Sequence, residues 1–216
     1  MPLGKHFIND VDRPVERGLE CLLRLDQSLR LIKSEKVLYR QQTRPKVLLL
    51  SGGGSGHEPA HAGYLGEGML DICVAGQIFA SPSASQILAG LKALDAPMGI
   101  LMIVKNYTGD KLNFGLATQK AKAEGINVNA VFVGDDVSVK GNDLVGRRGL
   151  AGVVFVHKIA GALAATGASL QEVTSLAQSV ADSICTIGVS LDRCSVPQRS
   201  HQQNLPVDNL EYGMGA

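Results

Sequence analysis

The sequence has 216 residues, 45% of them apolar, with 21 basic and 20 acidic side chains and a net charge of +1. That is enough apolar material for one sizeable core, and the balanced charge, with no Lys/Arg run longer than two, leaves no footprint for nucleic acid or an anionic membrane. Aromatic content is 4% with no Trp, which argues against a base-stacking or carbohydrate-stacking surface.

Met1 to Asp12 has no apolar h-region and does not read as a signal peptide. From Val15 to Leu31 the apolar residues Leu19, Leu22, Leu23 and Leu29 predict a helix. Short apolar runs then recur at Val47–Leu50, Ile72–Ala75, Gly99–Val104 and Val128–Val133. Runs of this kind predict strands buried on both faces, and none approaches the length of a membrane span. Between them, Ser83 to Leu94 predicts a helix with Ser83 as N-cap and Ile87, Leu88, Leu91 and Leu94 on one stripe. Leu112 to Glu124 predicts a second, ended by Gly125.

Val153 to Ala165 predicts a third helix despite its β-rich start, and Leu170 to Ile184 a fourth, capped by Ser169. Ile187 to Leu191 reads as a further strand. Strands alternating with helices predict an α/β layered fold with a mostly parallel sheet flanked by helices. Residues 1–194 read as one domain. After Cys194 the chain turns polar and Pro-containing to Asp208, and 195–216 is expected to be a linker and the start of a second α/β subdomain that the sequence does not finish. Cys21, Cys73, Cys185 and Cys194 form no Cys-x-x-Cys pair and no zinc spacing. They read as reduced thiols in a cytoplasmic protein.

In an open α/β sheet, ligands collect beyond the carboxyl ends of the strands. Three such ends carry polar or glycine-rich sequence. Ser51-Gly-Gly-Gly-Ser-Gly-His-Glu-Pro59 has four glycines in five positions; its backbone can approach a ligand closely, and Pro59 suits the first turn of a following helix. Amides at a helix N-terminus would favour an anion or a hydroxyl-rich ligand. The ending lacks Gly-Lys-Ser/Thr and the spacing lacks Gly-x-Gly-x-x-Gly, so it is neither a P-loop nor a dinucleotide fingerprint; a plain tight turn remains the other reading.

Lys105-Asn-Tyr-Thr-Gly-Asp110 gathers a donor, an amide and a carboxylate, with helix capping by Asp110 as the alternative. Gly134-Asp-Asp136 and Gly146-Arg-Arg-Gly149 read more readily as a structural pairing of Arg147 with an aspartate. Of the histidines, His57 stands out in the glycine loop; His61 is placed either toward the same space or in packing. His6, His157 and His201 have no supporting context.

These motifs, with Phe79-Ala-Ser-Pro82, Asn113-Phe114 and the opening Phe7-Ile-Asn-Asp10, resemble in order the substrate-binding K domain of the dihydroxyacetone kinase family across essentially the whole chain. The resemblance implies a homodimer that binds dihydroxyacetone through Gly54, Ser55, Gly56, His57, Lys105 and Asp110, with His57 and Asp110 as the acid/base pair. It implies no metal or nucleotide on this chain. ATP, or ADP serving a phosphotransferase-system phosphoprotein, would sit with Mg on a separate L-type helical domain or subunit. Family members also carry a histidine, just after a Glu-Tyr/Phe-Gly-x-Gly stretch, that captures the substrate carbonyl covalently. Here that stretch is Glu211–Ala216 and the sequence stops before the histidine, so the chain alone is expected to bind without catalysing. The alternative is a non-catalytic dihydroxyacetone-binding regulator or an inactive truncated paralogue.

Overall fold

The computed structural model describes residues 13–41, 44–138, 146–192, 194 and 205–213. The expectations for residues 1–12, Phe7–Asp10 among them, for His6 and His201, and for the linker over 195–204 lie outside these residues.

A six-stranded sheet runs in the order β1-β2-β4-β3-β5-β6. Its strands are β1 (Leu29–Ile32), β2 (Val37–Arg40), β3 (Leu48–Ser55), β4 (Ile72–Ile78), β5 (Ile100–Lys105) and β6 (Val128–Val133). The four strands β3 to β6 are mutually parallel, and β1 and β2 add an antiparallel hairpin at one edge. The helices are α1 (Pro14–Leu25), α2 (Ala84–Leu91), α3 (Thr108–Ala123), α4 (Val153–Ala165) and α5 (Leu170–Ser183), and a small pair, β7 (Val189–Ser190) with β8 (Glu211–Tyr212), lies apart.

The sheet is covered on both faces, as buried apolar strands require. Leu48, Leu50, Ile100 and Met102 face α2 and α3 through Ile87, Leu91, Phe114 and Ala117. The alternate residues Leu49, Leu101 and Ile103 face α4 and α5 through Val156, Ala160, Val173 and Ala177. This period-2 division is why the strands carry continuous apolar runs. Val15 and Leu19 of α1 pack with Leu29 and Leu38 at the hairpin edge.

Several expectations change. α2 ends at Leu91, short of Leu94, and α3 begins at Thr108, four residues before Leu112. The N-terminal helix stops at Leu25; Leu29 and Leu31 belong to β1, because the apolar periodicity of 15–31 blends a helix with an adjoining strand that pairs with Val37–Arg40. No α-helix follows the glycine segment. Residues 57–61 form turns and only Ala62–Tyr64 makes a short 3-10 turn, since Gly63, Gly66 and Gly68 weaken any helix there.

The expected caps form. Ser83 and Ser169 each accept the N3 backbone N–H, and Gln86 and Glu172 answer them in reciprocal capping boxes. Ser169→Ala is therefore expected to lower unfolding stability by about 1 kcal/mol, read as a lower urea midpoint at unchanged slope; an unchanged midpoint would refute the cap's contribution.

Candidate functional site

β3 is flanked by β4 on one side and β5 on the other. The connection after β3 lies on the α4 side, where His61 meets His157, whereas α2 and α3 cover the opposite face. The chain thus departs from adjacent strands to opposite faces, which opens a crevice beyond their carboxyl ends. The glycine segment and the Lys105–Asp110 segment meet there.

Gly52, Gly53 and Gly54 lie within the sheet and Gly56 just beyond it: β3 continues through Ser55, with a register shift against β4 between Gly53 and Ser55. Gly54 has no room for a side chain, since a Cβ would stand 2.7 Å from Ala80 N and 3.0 Å from Phe79 C. Gly56 sits at φ +103°, and its Cβ would fall 2.7 Å from the Phe79 ring. Ser55 Oγ donates to Gly76 O at 2.8 Å, so this hydroxyl braces β3 against β4. Gly56 N donates to Glu58 Oε1 at 3.2 Å. A ligand that takes the Gly56 amide must displace that carboxylate.

Asp110 stands in the first turn of α3, whose N-cap is Tyr107. It does not cap the helix. Its carboxylate faces the glycine strand: a Cβ at Gly53 would be 3.6 Å from Oδ2 and 3.8 Å from Oδ1. The residue is only 6% exposed, and Oδ1 is buried without a hydrogen-bond partner among the described residues. Burial pushes its carboxyl above the usual carboxylate range, while the Ser81 hydroxyl and the Lys105 ammonium pull it back. Lys105, 8% exposed at the end of β5, has its ammonium 5.4 Å from the Tyr107 ring centroid. Burial lowers its pKa, opposed by Asp110 and Asp135. His57 is half-buried against Phe79, with ring centroids 5.0 Å apart. Burial and then Lys105 lower its pKa, with Glu58 opposing.

The structure thus brings Gly53–Gly56, His57, Lys105 and Asp110 to one end of the sheet. Gly53, Phe79 and Ser81 join them although sequence reasoning gave them no role; the motif Phe79-Ala-Ser-Pro82 was the available signal. Asp135 and Asp136 hold the neighbouring segments together. Asp135 accepts from Leu150 N (2.7 Å), Gly152 N (2.8 Å) and Thr186 Oγ1. Asp136 accepts from Arg148 Nη2 at 2.7 Å and Nε at 3.1 Å. The pairing arginine is therefore Arg148 and not Arg147, whose carbonyl instead accepts from Asn106 Nδ2 at 2.8 Å.

A cavity of about 580 Å³ also touches Gly53 and Gly56, but its walls are largely apolar, with Val15, Leu19, Leu22 and Ile78 among them, and His57, Lys105 and Asp110 do not line it. A small polar ligand needs convergent donors and acceptors, and the side chains of His57, Lys105 and Asp110 that could offer them lie in the crevice.

A family model described as "Dak1 domain" matches residues 20–216. "Dihydroxyacetone kinase 2" of Saccharomyces cerevisiae is 53% identical over 202 residues, covering 90% of this chain and 34% of its own length. The "PTS-dependent dihydroxyacetone kinase 1, dihydroxyacetone-binding subunit DhaK" of Listeria innocua is 46% identical, over 98% of this chain and 65% of its own. Among solved structures, the native dihydroxyacetone kinase of C. freundii superposes with a TM-score of 0.91 at 39% identity, over 99% of this chain and 40% of that one. The "Dihydroxyacetone kinase operon co-activator Dha-DhaQ" superposes at 0.87 with 34% identity, over 96% of this chain and 63% of that one. The chain spans about a third of the length of the yeast relative. Sequence and fold agree across nearly all of its residues: the chain belongs to the Dak1 domain family.

Proposed function

We propose that this chain holds dihydroxyacetone as the substrate-binding part of a dihydroxyacetone kinase, with phosphoryl transfer supplied by a separate nucleotide-bearing domain or subunit. The observation that carries the reading is the buried, unpartnered Oδ1 of Asp110 facing Gly53. An acceptor left open in a polar crevice suits a ligand hydroxyl. An uncharged triose offers only hydroxyls and a carbonyl, so its affinity rests on a few placed hydrogen bonds. Lys105 and the amides of Gly54 and Gly56 donate, and Asp110 accepts. In transfer, Asp110 takes the proton of the attacking hydroxyl as its oxygen bonds to phosphorus and the donor departs. His57 is the second acid/base group.

Among the described residues no three His, Cys, Asp or Glu side chains come together as metal ligands. In this reading an ATP- or ADP-bearing L-type partner supplies the magnesium, the nucleotide and the charge stabilisation of transfer. The family resemblance adds a homodimer in the cytoplasm. Among the described residues no helix is long and apolar enough to cross a membrane.

Titration of the chain with dihydroxyacetone by calorimetry or ligand-observed NMR is expected to show weak, reversible binding with Kd on the order of 1 mM. A folded chain that shows no binding at tens of millimolar ketone refutes the reading. The likeness to an operon co-activator favours a second reading, a dihydroxyacetone-binding regulator. It predicts the same binding, but no turnover in the full-length protein when the nucleotide-bearing partner is added.

A further inference from the structure

On the α4 side of the glycine strand, two buried histidines meet. His61 lies in the β3–β4 connection, four residues after His57, and is 4% exposed; His157 lies on α4 and is fully buried. His61 Nδ1 is 3.2 Å from His157 Nε2 and 3.2 Å from Ser51 Oγ. Ser51 stands on β3 two residues before Gly53, and its Oγ donates its one proton to the Ile103 carbonyl at 2.6 Å. Ile103 is two residues before Lys105 on β5.

The proton positions follow from this network. Ser51 Oγ has given away its hydrogen, so toward His61 it can only accept. His61 therefore carries its proton on Nδ1 and shares it between Ser51 Oγ and His157 Nε2, and His157 carries its own on Nδ1. His61 Nε2 and His157 Nδ1 are then buried with no partner among the described residues. The charged and titratable groups that face the pair are Lys105 from β5 and His57 from the connection. The Tyr64 ring lies 6.3 and 6.0 Å from the two imidazoles, and the buried Cys73 thiol on β4 takes the His61 backbone N–H. Burial, aided by Lys105, pushes His157 down to about 3 and His61 well below its ordinary value, so both rings stay neutral at working pH.

Apolar side chains would fill this space without desolvating four ring nitrogens and a hydroxyl. The polar chain instead joins the elements that carry the site: β3 with Gly53–Gly56, the connection with His57, and β5 with Lys105. We propose that Ser51, His61 and His157 are positioning residues, a neutral hydrogen-bond chain that fixes the spacing between the glycine strand, His57 and Lys105. The ligand part of its test rests on the functional reading above; the spectroscopic part does not.

The experiment compares the 216-residue chain with His157→Leu, which removes the acceptor at similar volume, and His157→Gln, which restores one. Two readouts are taken: the NMR titration of the His57 ring with the amide shifts of Gly52–Gly56 and Lys105, without ligand, and the dihydroxyacetone Kd. In folded His157→Leu, the His57 titration and the glycine amides are expected to shift and Kd to rise about tenfold, with His157→Gln returning both toward the parent. Unchanged His57 titration, amide shifts and Kd in folded His157→Leu would overturn the proposal and leave the pair as packing. Failure of His157→Gln to restore either readout would also count against it. If the parent binds no dihydroxyacetone, the functional reading fails, and the spectroscopic arm alone decides the positioning role. Should His157→Leu not fold, Ser51→Ala cuts the other end of the chain and carries the same expectations.

Discussion

Asp110→Asn is expected to lower kcat by about 10²–10⁴-fold with little change in KM, in an assay where a full-length protein and its nucleotide-bearing partner phosphorylate dihydroxyacetone. Asn keeps the size of the side chain and one acceptor oxygen, so ground-state binding changes little, but it cannot take the hydroxyl proton. Because burial raises the Asp110 carboxyl, kcat/KM in the parent should fall as pH drops through that raised value, and this limb should vanish in the variant.

The same burial sets a stability effect of opposite sign. A carboxyl raised in the folded state binds its proton more tightly there than in the unfolded chain, so its ionised form weakens the fold at neutral pH. Asp110→Asn removes that penalty and should raise Tm at pH 7. The gain should shrink as pH falls from the raised folded value to the ordinary carboxylate one. If KM rises with kcat intact, Asp110 is a binding group and His57 becomes the base.

The largest stability loss is expected at Asp135→Ala. The carboxylate is fully buried and takes Leu150 N, Gly152 N and the Thr186 hydroxyl. Deleting it strands Leu150 N and Gly152 N at the entry to α4 and the Thr186 hydroxyl beyond α5. A fully buried donor left unpaired costs about 1–3 kcal/mol, and because Leu150 N and Thr186 Oγ1 are only part-buried, a total of roughly 3–5 kcal/mol is expected. Urea unfolding of parent and variant checks this. Asp135→Asn, which keeps one acceptor, should fall between them. A loss under about 1 kcal/mol would show that other groups rescue these amides.

Much of this was legible because it is local. The capping boxes at Ser83 and Ser169 lie within four residues of sequence, and the apolar runs that became β4, β5 and β6 mark themselves by burial on both faces. The glycine segment was legible as a candidate site but not as a strand. Glycine has poor intrinsic strand preference, and only the close approach of Phe79 and Ala80 shows why it is needed at Gly54. The β1–β2 hairpin was hidden because Leu29 and Leu31 extend an apolar pattern that already reads as helical. Contacts distant in sequence left no signal at all. His61 and His157 are 96 positions apart, and the choice of Arg148 over Arg147 as partner for Asp136 depends on which face the backbone presents.

Because Gly52–Ser55 continue β3 and pair along β4, the proposed binding surface is a rail and not a flap. A flexible glycine loop would have to surrender its backbone freedom on capturing a ligand, at roughly 1–2 kcal/mol for each residue fixed. A molecule with as few atoms as a triose could not offset that cost. Here the ordering is complete before any ligand arrives, because folding of the sheet has already imposed it. Discrimination among small polyols would then follow the shape of a rigid template, with little scope for a larger ligand to mould the strand around itself.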